Sequence, residues 1–156
     1  MIKICDNTSV GMLIRNNKGN LLLIERRKQP FGFAPPAGHV DDHGSFENAA
    51  EDEVKEEVGL IPKNLKFIAE GRKNNRCRRE GGDWHYWKIY EVEISGDLKP
   101  SAEETKQAEW FSVLRLQELA ERTKLYLNGQ IPQDKWQANP GLEPVWFEWL
   151  SELKII

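Results

Sequence analysis

The sequence predicts an α/β domain, a mixed β-sheet flanked by helices. Two observations carry this expectation. Apolar runs of strand length outnumber those of helical length, and several are joined by short polar turns, unlike the regular strand–helix alternation of a parallel sheet.

Val10 to Arg15 and Leu21 to Arg26 are apolar-rich runs separated by Asn16-Asn17-Lys18-Gly19-Asn20, a spacing that predicts a β-hairpin. Phe31 to Gly38 contains Pro35-Pro36 and reads as a loop, since proline interrupts both ladders and helices. Ser45 to Val58 predicts a helix, with Ser45 as its N-cap and Gly59 closing it. Strands are expected at Leu65–Glu70, Trp84–Ile94 and Gln107–Val113. Further helices are expected at Leu116–Leu127 and Pro144–Leu153.

No internal repeat or linker divides the chain. Its 156 residues suit one domain, taken as residues 1–156, with a C-terminal helical extension over about 130–156. With 39% hydrophobic and 30% charged residues, the balance is that of a globular protein and not of a disordered chain. No apolar run approaches the roughly 20 residues of a membrane span. The start, Met1 to Asp6, lacks the features of a signal peptide. Cys5 and Cys77 fit no metal-binding spacing and are read as reduced thiols, so a cytoplasmic location is expected.

A net charge of −3 argues against nucleic acid as the partner. The charge is unevenly spread, however. Asp41 to Glu57 holds eight carboxylates against Lys55 alone, whereas Arg72 to Arg79 holds five cations and no acid. One cation site and one anion site would account for this, although solvated charged faces would as well.

On the helix from Ser45, Phe46, Ala49, Ala50, Val54 and Val58 recur at three- and four-residue intervals and form a core-facing stripe. The same spacing sets Glu53 and Glu57 on that stripe with Glu56 at its flank, while Asp52 falls on the opposite side. Carboxylates on an inner edge are costly without a partner, and no lysine or arginine of the helix is placed to supply one. A hard divalent cation resolves the conflict, because Mg²⁺ prefers oxygen ligands.

Gly38 to Leu60 closely resembles the Nudix box, G-x5-E-x7-R-E-U-x-E-E-x-G-U with U a bulky aliphatic. Gly38, Glu53, Val54, Glu56, Glu57, Gly59 and Leu60 match in register. The resemblance implies an α/β/α sandwich over roughly Val10 to Leu119. It also implies hydrolysis of a phosphoanhydride in a nucleoside diphosphate linked to another group: a nucleoside triphosphate, a nucleotide sugar or a dinucleotide. Glu53, Glu56 and Glu57 would hold Mg²⁺ (or Mn²⁺), helped by a backbone carbonyl near Ala37. Glu53, Glu56 or Glu104 would take the proton from the attacking water. Because family members include dimers, the resemblance allows a homodimer, but no residue marks an interface.

Two positions depart from the box: Gly44 replaces a glutamate and Asp52 an arginine. In the family these two side chains interact, and the arginine steadies a catalytic glutamate. The reading is therefore a metal-competent site with a differently built support, in which Asp41, Asp42 or His43 stands in. A weakly active or inactive nucleotide-binding module is the alternative. His39 and His43, in a polar loop, are read as solvated. On the substrate side, Arg26, Arg27 and Arg76 are candidates for gripping phosphate and Trp84 for stacking a base. An RNA-binding module using Arg72 to Arg79 with Trp84 and Trp87 is a third reading, disfavoured by the acidic remainder of the chain.

Overall fold

The computed structural model describes residues 3–156. Two sheets form its centre. A four-stranded mixed sheet runs in the order β4 (Ala37–Gly38), β1 (Thr8–Leu13), β6 (His85–Ser95), β5 (Ile61–Lys73); β1 and β6 are parallel and the other neighbours antiparallel. A three-stranded antiparallel sheet runs β3 (Phe33–Ala34), β2 (Leu21–Arg26), β7 (Thr105–Phe111). Helix α1 (Phe46–Val58) covers one side; α2 (Val113–Leu127), α3 (Gln133–Ala138) and α4 (Pro144–Glu152) belong to the other half of the chain. This is the α/β/α arrangement with a mixed sheet that the sequence implies.

The expected hairpin needs correction. β1 and β2 bridge only beside the turn, at Arg15–Leu21, and then part into different sheets. Both strands are central: β4 and β6 take the two edges of β1, and β3 and β7 those of β2, so no edge remains for pairing with each other. The turn itself closes as its asparagines suggest, the Asn16 side-chain oxygen accepting from the N–H groups of Lys18 and Asn20.

Alternation along the central strands separates two cores. Val10, Met12 and Ile14 of the first segment, with Leu22 and Ile24, pack under Ala49, Ala50, Val54 and Val58 of α1. Leu13, Leu21, Leu23, Trp87 and Ile89 face the opposite way, onto Leu116 and Ala120 of α2 and Val145, Trp146, Trp149 and Leu150 of α4. The C-terminal segment thus supplies part of the second core. Gly11 makes that packing feasible, because a Cβ there would fall on the Trp146 ring.

Element boundaries differ from expectation in several places: β1 spans Thr8–Leu13, and the proline-containing loop carries the two-residue strands β3 and β4. β5 extends well beyond Leu65–Glu70 on both sides; it is an edge strand paired only to β6, so its ladder continues through polar residues that hydropathy does not mark. β7 stops at Phe111 because Ser112 turns to cap α2, its Oγ accepting from the Arg115 N–H at 3.3 Å. Helix α2 therefore begins at Val113, before the expected Leu116. The short helix α3 was not anticipated as a separate element.

Candidate active site

The acidic helix is anchored at both ends. Ser45 Oγ accepts from the Asn48 N–H at 3.0 Å, and Gly59, at φ +67°, donates to the Lys55 carbonyl at 3.1 Å. Between these caps the apolar stripe fixes the helix's rotation, which sends Glu53 and Glu57 inward. Glu57 is buried and Glu53 half-buried, while Glu56 reaches solvent.

Gly38 faces Glu53 so closely that a Cβ on it would lie 2.5 Å from the Glu53 carboxyl carbon. The glycine at the head of the box is thus required by contact with the helix carboxylate. Burial, reinforced by the neighbouring charge of Glu56, pushes the Glu53 carboxyl up to about 7. Burial also raises Glu57 well above the usual carboxylate range, with Glu53 adding to it; the charge of Arg26 and a backbone hydrogen bond from Ala37 pull the other way. Two adjacent carboxyls that resist ionisation are what a divalent cation would relieve, so the donor set fits Mg²⁺ or Mn²⁺.

His43 lies between Asp52, one of the two departures from the box, and Glu53. Its Nδ1 lies 2.7 Å from Asp52 Oδ2, and its Nε2 lies 3.6 Å from Glu53 Oε1. The hydrogen bond to Asp52 raises the imidazole's pKa, aided by the charge of Glu53. Asp52 thus holds the His43 ring with its second nitrogen toward Glu53. His43, Glu53 and Glu56 bring ligand atoms within 4.8 Å of one another. Of the stand-ins considered from the sequence, His43 is the one placed beside both Asp52 and Glu53, with its side chain only 20% exposed.

These carboxylates border a cleft of about 440 Å³. Ala37, Arg26, Arg76 and Glu104 also line it, as the sequence reading requires of site residues. Arg26 is already engaged, donating from Nε to the Pro30 carbonyl at 2.7 Å and lying 3.9 Å from the buried carboxylate of Glu143. Arg76 is exposed to solvent and lies 3.7 Å from the carboxylate of Asp83, which is itself exposed. Arg27 and Trp84 are not among the lining residues. The guanidinium of Arg27 donates to the carbonyls of Ala102 and Thr105, clamping the loop before β7, and Trp84 lies beneath Arg72, 4.3 Å from its guanidinium carbon. The aromatic residues that do line the cleft are Trp87 and Trp146. Strand alternation on β6 was the available signal for Trp87; Trp146 and Glu143 carry none, since they arrive from the C-terminal segment.

Cys5 and Cys77 are free thiols, as read from the sequence. Cys5 and Cys77 fit no metal spacing along the chain, yet the fold brings them together with His39 and His85. His39 is not solvated at its tip, because its Nε2 is buried without a hydrogen-bond partner.

Fold and site together define a class: an α/β/α sandwich in which a glycine-headed loop and an acidic helix open onto a cleft with arginines. Residues 6–130 match the NUDIX domain, and the chain belongs to that family. The ADP-ribose pyrophosphatase of Methanocaldococcus jannaschii is 37% identical over 112 residues, covering 70% of this chain and 63% of that protein. An RNA pyrophosphohydrolase of Vibrio vulnificus is 32% identical over 131 residues, covering 83% of this chain and 67% of the relative. This chain thus spans about two thirds of the length of these relatives. Among solved structures, the MutT protein of Methanosarcina mazei shares the fold at a TM-score of 0.62 and 20% identity, covering 99% of this chain and 98% of that one. The NUDIX domain of Shewanella oneidensis NrtR, solved with ADP ribose, matches at 0.60 and 14%, covering 76% and 78%. No helix among the described residues is long and apolar enough to cross a membrane.

Proposed function

We propose that this protein hydrolyses a phosphoanhydride bond in a nucleoside diphosphate linked to a further group, using Mg²⁺ or Mn²⁺ held by Glu53, Glu56 and Glu57. The observation that carries this reading is the convergence of these three carboxylates, two of them pushed toward neutrality, on one cleft with Arg26 and Arg76. A bound dication there would neutralise diphosphate oxygens and lower the pKa of a coordinated water.

The chain's own groups divide the remaining work. Glu53, Glu56 or Glu104 takes the proton from the attacking water, and His43 Nε2 stands 3.6 Å from Glu53 Oε1. Glu104 stands at the cleft as a further carboxylate, close enough to raise the pKa of both Glu53 and Glu57. Arg76, exposed and paired only with the surface carboxylate of Asp83, turns to grip a phosphate, while Arg26 contributes its charge from a fixed position. Trp87 and Trp146, at 3% and 0% exposure, back the cleft wall from within the core.

A nucleotide sugar of the ADP-ribose kind is the favoured substrate, supported by the archaeal relative named for it. A triphosphorylated RNA end is the second reading, supported by the RNA pyrophosphohydrolase relatives and by the basic stretch Arg72–Arg79 beside the cleft. Product release from ADP-ribose, a dinucleotide, nucleoside triphosphates and a 5′-triphosphate RNA in the presence of Mg²⁺ or Mn²⁺ separates them. Preference for ADP-ribose supports the first reading. Phosphate or pyrophosphate release from RNA alone supports the second. Nucleotide binding without turnover on any substrate means an inactive module.

A further inference from the structure

We propose a second metal site in this chain, a tetrahedral Zn²⁺ centre formed by Cys5, His39, Cys77 and His85. These residues come from four separate places: the segment before β1, the loop after Gly38, the loop between β5 and β6, and the first residue of β6. One ligand atom from each lies within 4.8 Å of all the others. Cys5 Sγ and His85 Nε2 are 3.3 Å apart, and the two imidazole rings are centred 5.3 Å apart. Two soft sulfurs and two imidazole nitrogens, all from the protein, make up the donor set of a closed structural zinc site.

The surroundings are built as such a site requires. His85 Nδ1 lies 2.9 Å from the Asn75 carbonyl oxygen, so the N–H sits there and the lone pair of Nε2 turns to the cluster. His39 Nε2 is buried and unpartnered, a polar atom that costs free energy unless something binds it. Each sulfur accepts a backbone N–H two residues on, Cys5 from Asn7 at 3.3 Å and Cys77 from Arg79 at 3.4 Å. Gly82 has no side chain where a Cβ would fall on the Cys77 sulfur.

The site has a place in the architecture. The loop 74–84 carries Arg76, Arg78 and Arg79 along the cleft and has no regular ladder of its own. Zinc would fasten it to the N-terminal segment and to the box loop, beside the ion pair of Arg79 with Asp41 at 2.7 Å. Because all four positions are protein ligands, none remains for water, and the ion has a structural role distinct from that of the carboxylate-bound cation.

The test is metal analysis of the purified, reduced protein in excess Mg²⁺, followed by replacement with Co²⁺. We expect about one zinc per chain, and with Co²⁺ both tetrahedral visible bands and a thiolate-to-cobalt charge-transfer band. Cys77→Ser should lose both signals, while Glu56→Gln should retain them. The wild-type cobalt spectrum needs no variant to fold. Absence of zinc together with absence of a thiolate band overturns the proposal. So does zinc that survives Cys77→Ser but leaves with Glu56→Gln, or a Cys5–Cys77 disulfide found by mass spectrometry of the unreduced protein.

Discussion

Glu53 projects from α1 against the Gly38 backbone, where burial and Glu56 hold its carboxyl at about 7. In the metal-free protein the folded state therefore binds this proton more tightly than the unfolded chain does. The sign follows: folding loses stability as pH rises from the ordinary carboxylate range to the folded value, and the loss is complete above it. Glu53→Gln removes that loss. Without metal, the variant should be more stable than wild type at mildly alkaline pH, by up to about 3 kcal/mol. Near pH 4 the gain should vanish. Thermal unfolding of both proteins across this range, in chelator, checks it; a variant no more stable than wild type at pH 8 would contradict the assigned burial. His43 makes a second claim at this scale. It acts through Glu53, so His43→Ala should lower kcat by about 10- to 100-fold, with little change in KM. Asp52→Asn should lower kcat as well, because it releases the same imidazole. A KM effect with unchanged kcat would place His43 in substrate binding instead.

At the scale of elements, α1 was readable from sequence because three independent signals agree: a 3.6-residue apolar period, Ser45 at its start and Gly59 at its end. The parting of β1 and β2 was not. Their turn has hairpin chemistry, and only the competition of β4, β6, β3 and β7 for their edges decides against pairing. The long edge strand β5 was under-read for a related reason, since its continuation depends on the β6 ladder and not on its own hydropathy. Helix α4 gives this scale its prediction. Trp146 is fully buried against Trp87 and above Gly11, and it also lines the cleft. Trp146→Ala should cost about 3–5 kcal/mol in chemical denaturation. Gly11→Val should also destabilise, by overpacking the same spot. A Trp146→Ala protein as stable as wild type would mean that the C-terminal segment is not part of the core.

For the molecule as a whole, the division of charge foreseen in the sequence has a structural counterpart. The acidic helix and the basic loop line the same cleft from different sides, so an anionic substrate and the cations that accompany it are both accommodated. The family and the carboxylate helix were legible because the box is a local pattern, contiguous from Gly38 to Leu60. The Cys5–His39–Cys77–His85 cluster was not, because its members are scattered over 80 residues and meet only through the parallel pairing of β1 with β6 and the return of the loop before β6. Trp146 and Glu143 reached the cleft by the same kind of long-range closure. Residues that act through spacing along the chain could be read; those that act through topology required the fold.

The central claim, metal-dependent hydrolysis on the α1 carboxylates, is tested most directly by ADP-ribose turnover in wild type and Glu57→Gln across a Mg²⁺ titration. The expected result is turnover that requires Mg²⁺ and falls by on the order of 100-fold or more in the variant, with the fold retained by circular dichroism. Turnover that persists in chelator, or that Glu57→Gln leaves intact at every Mg²⁺ concentration, would contradict it.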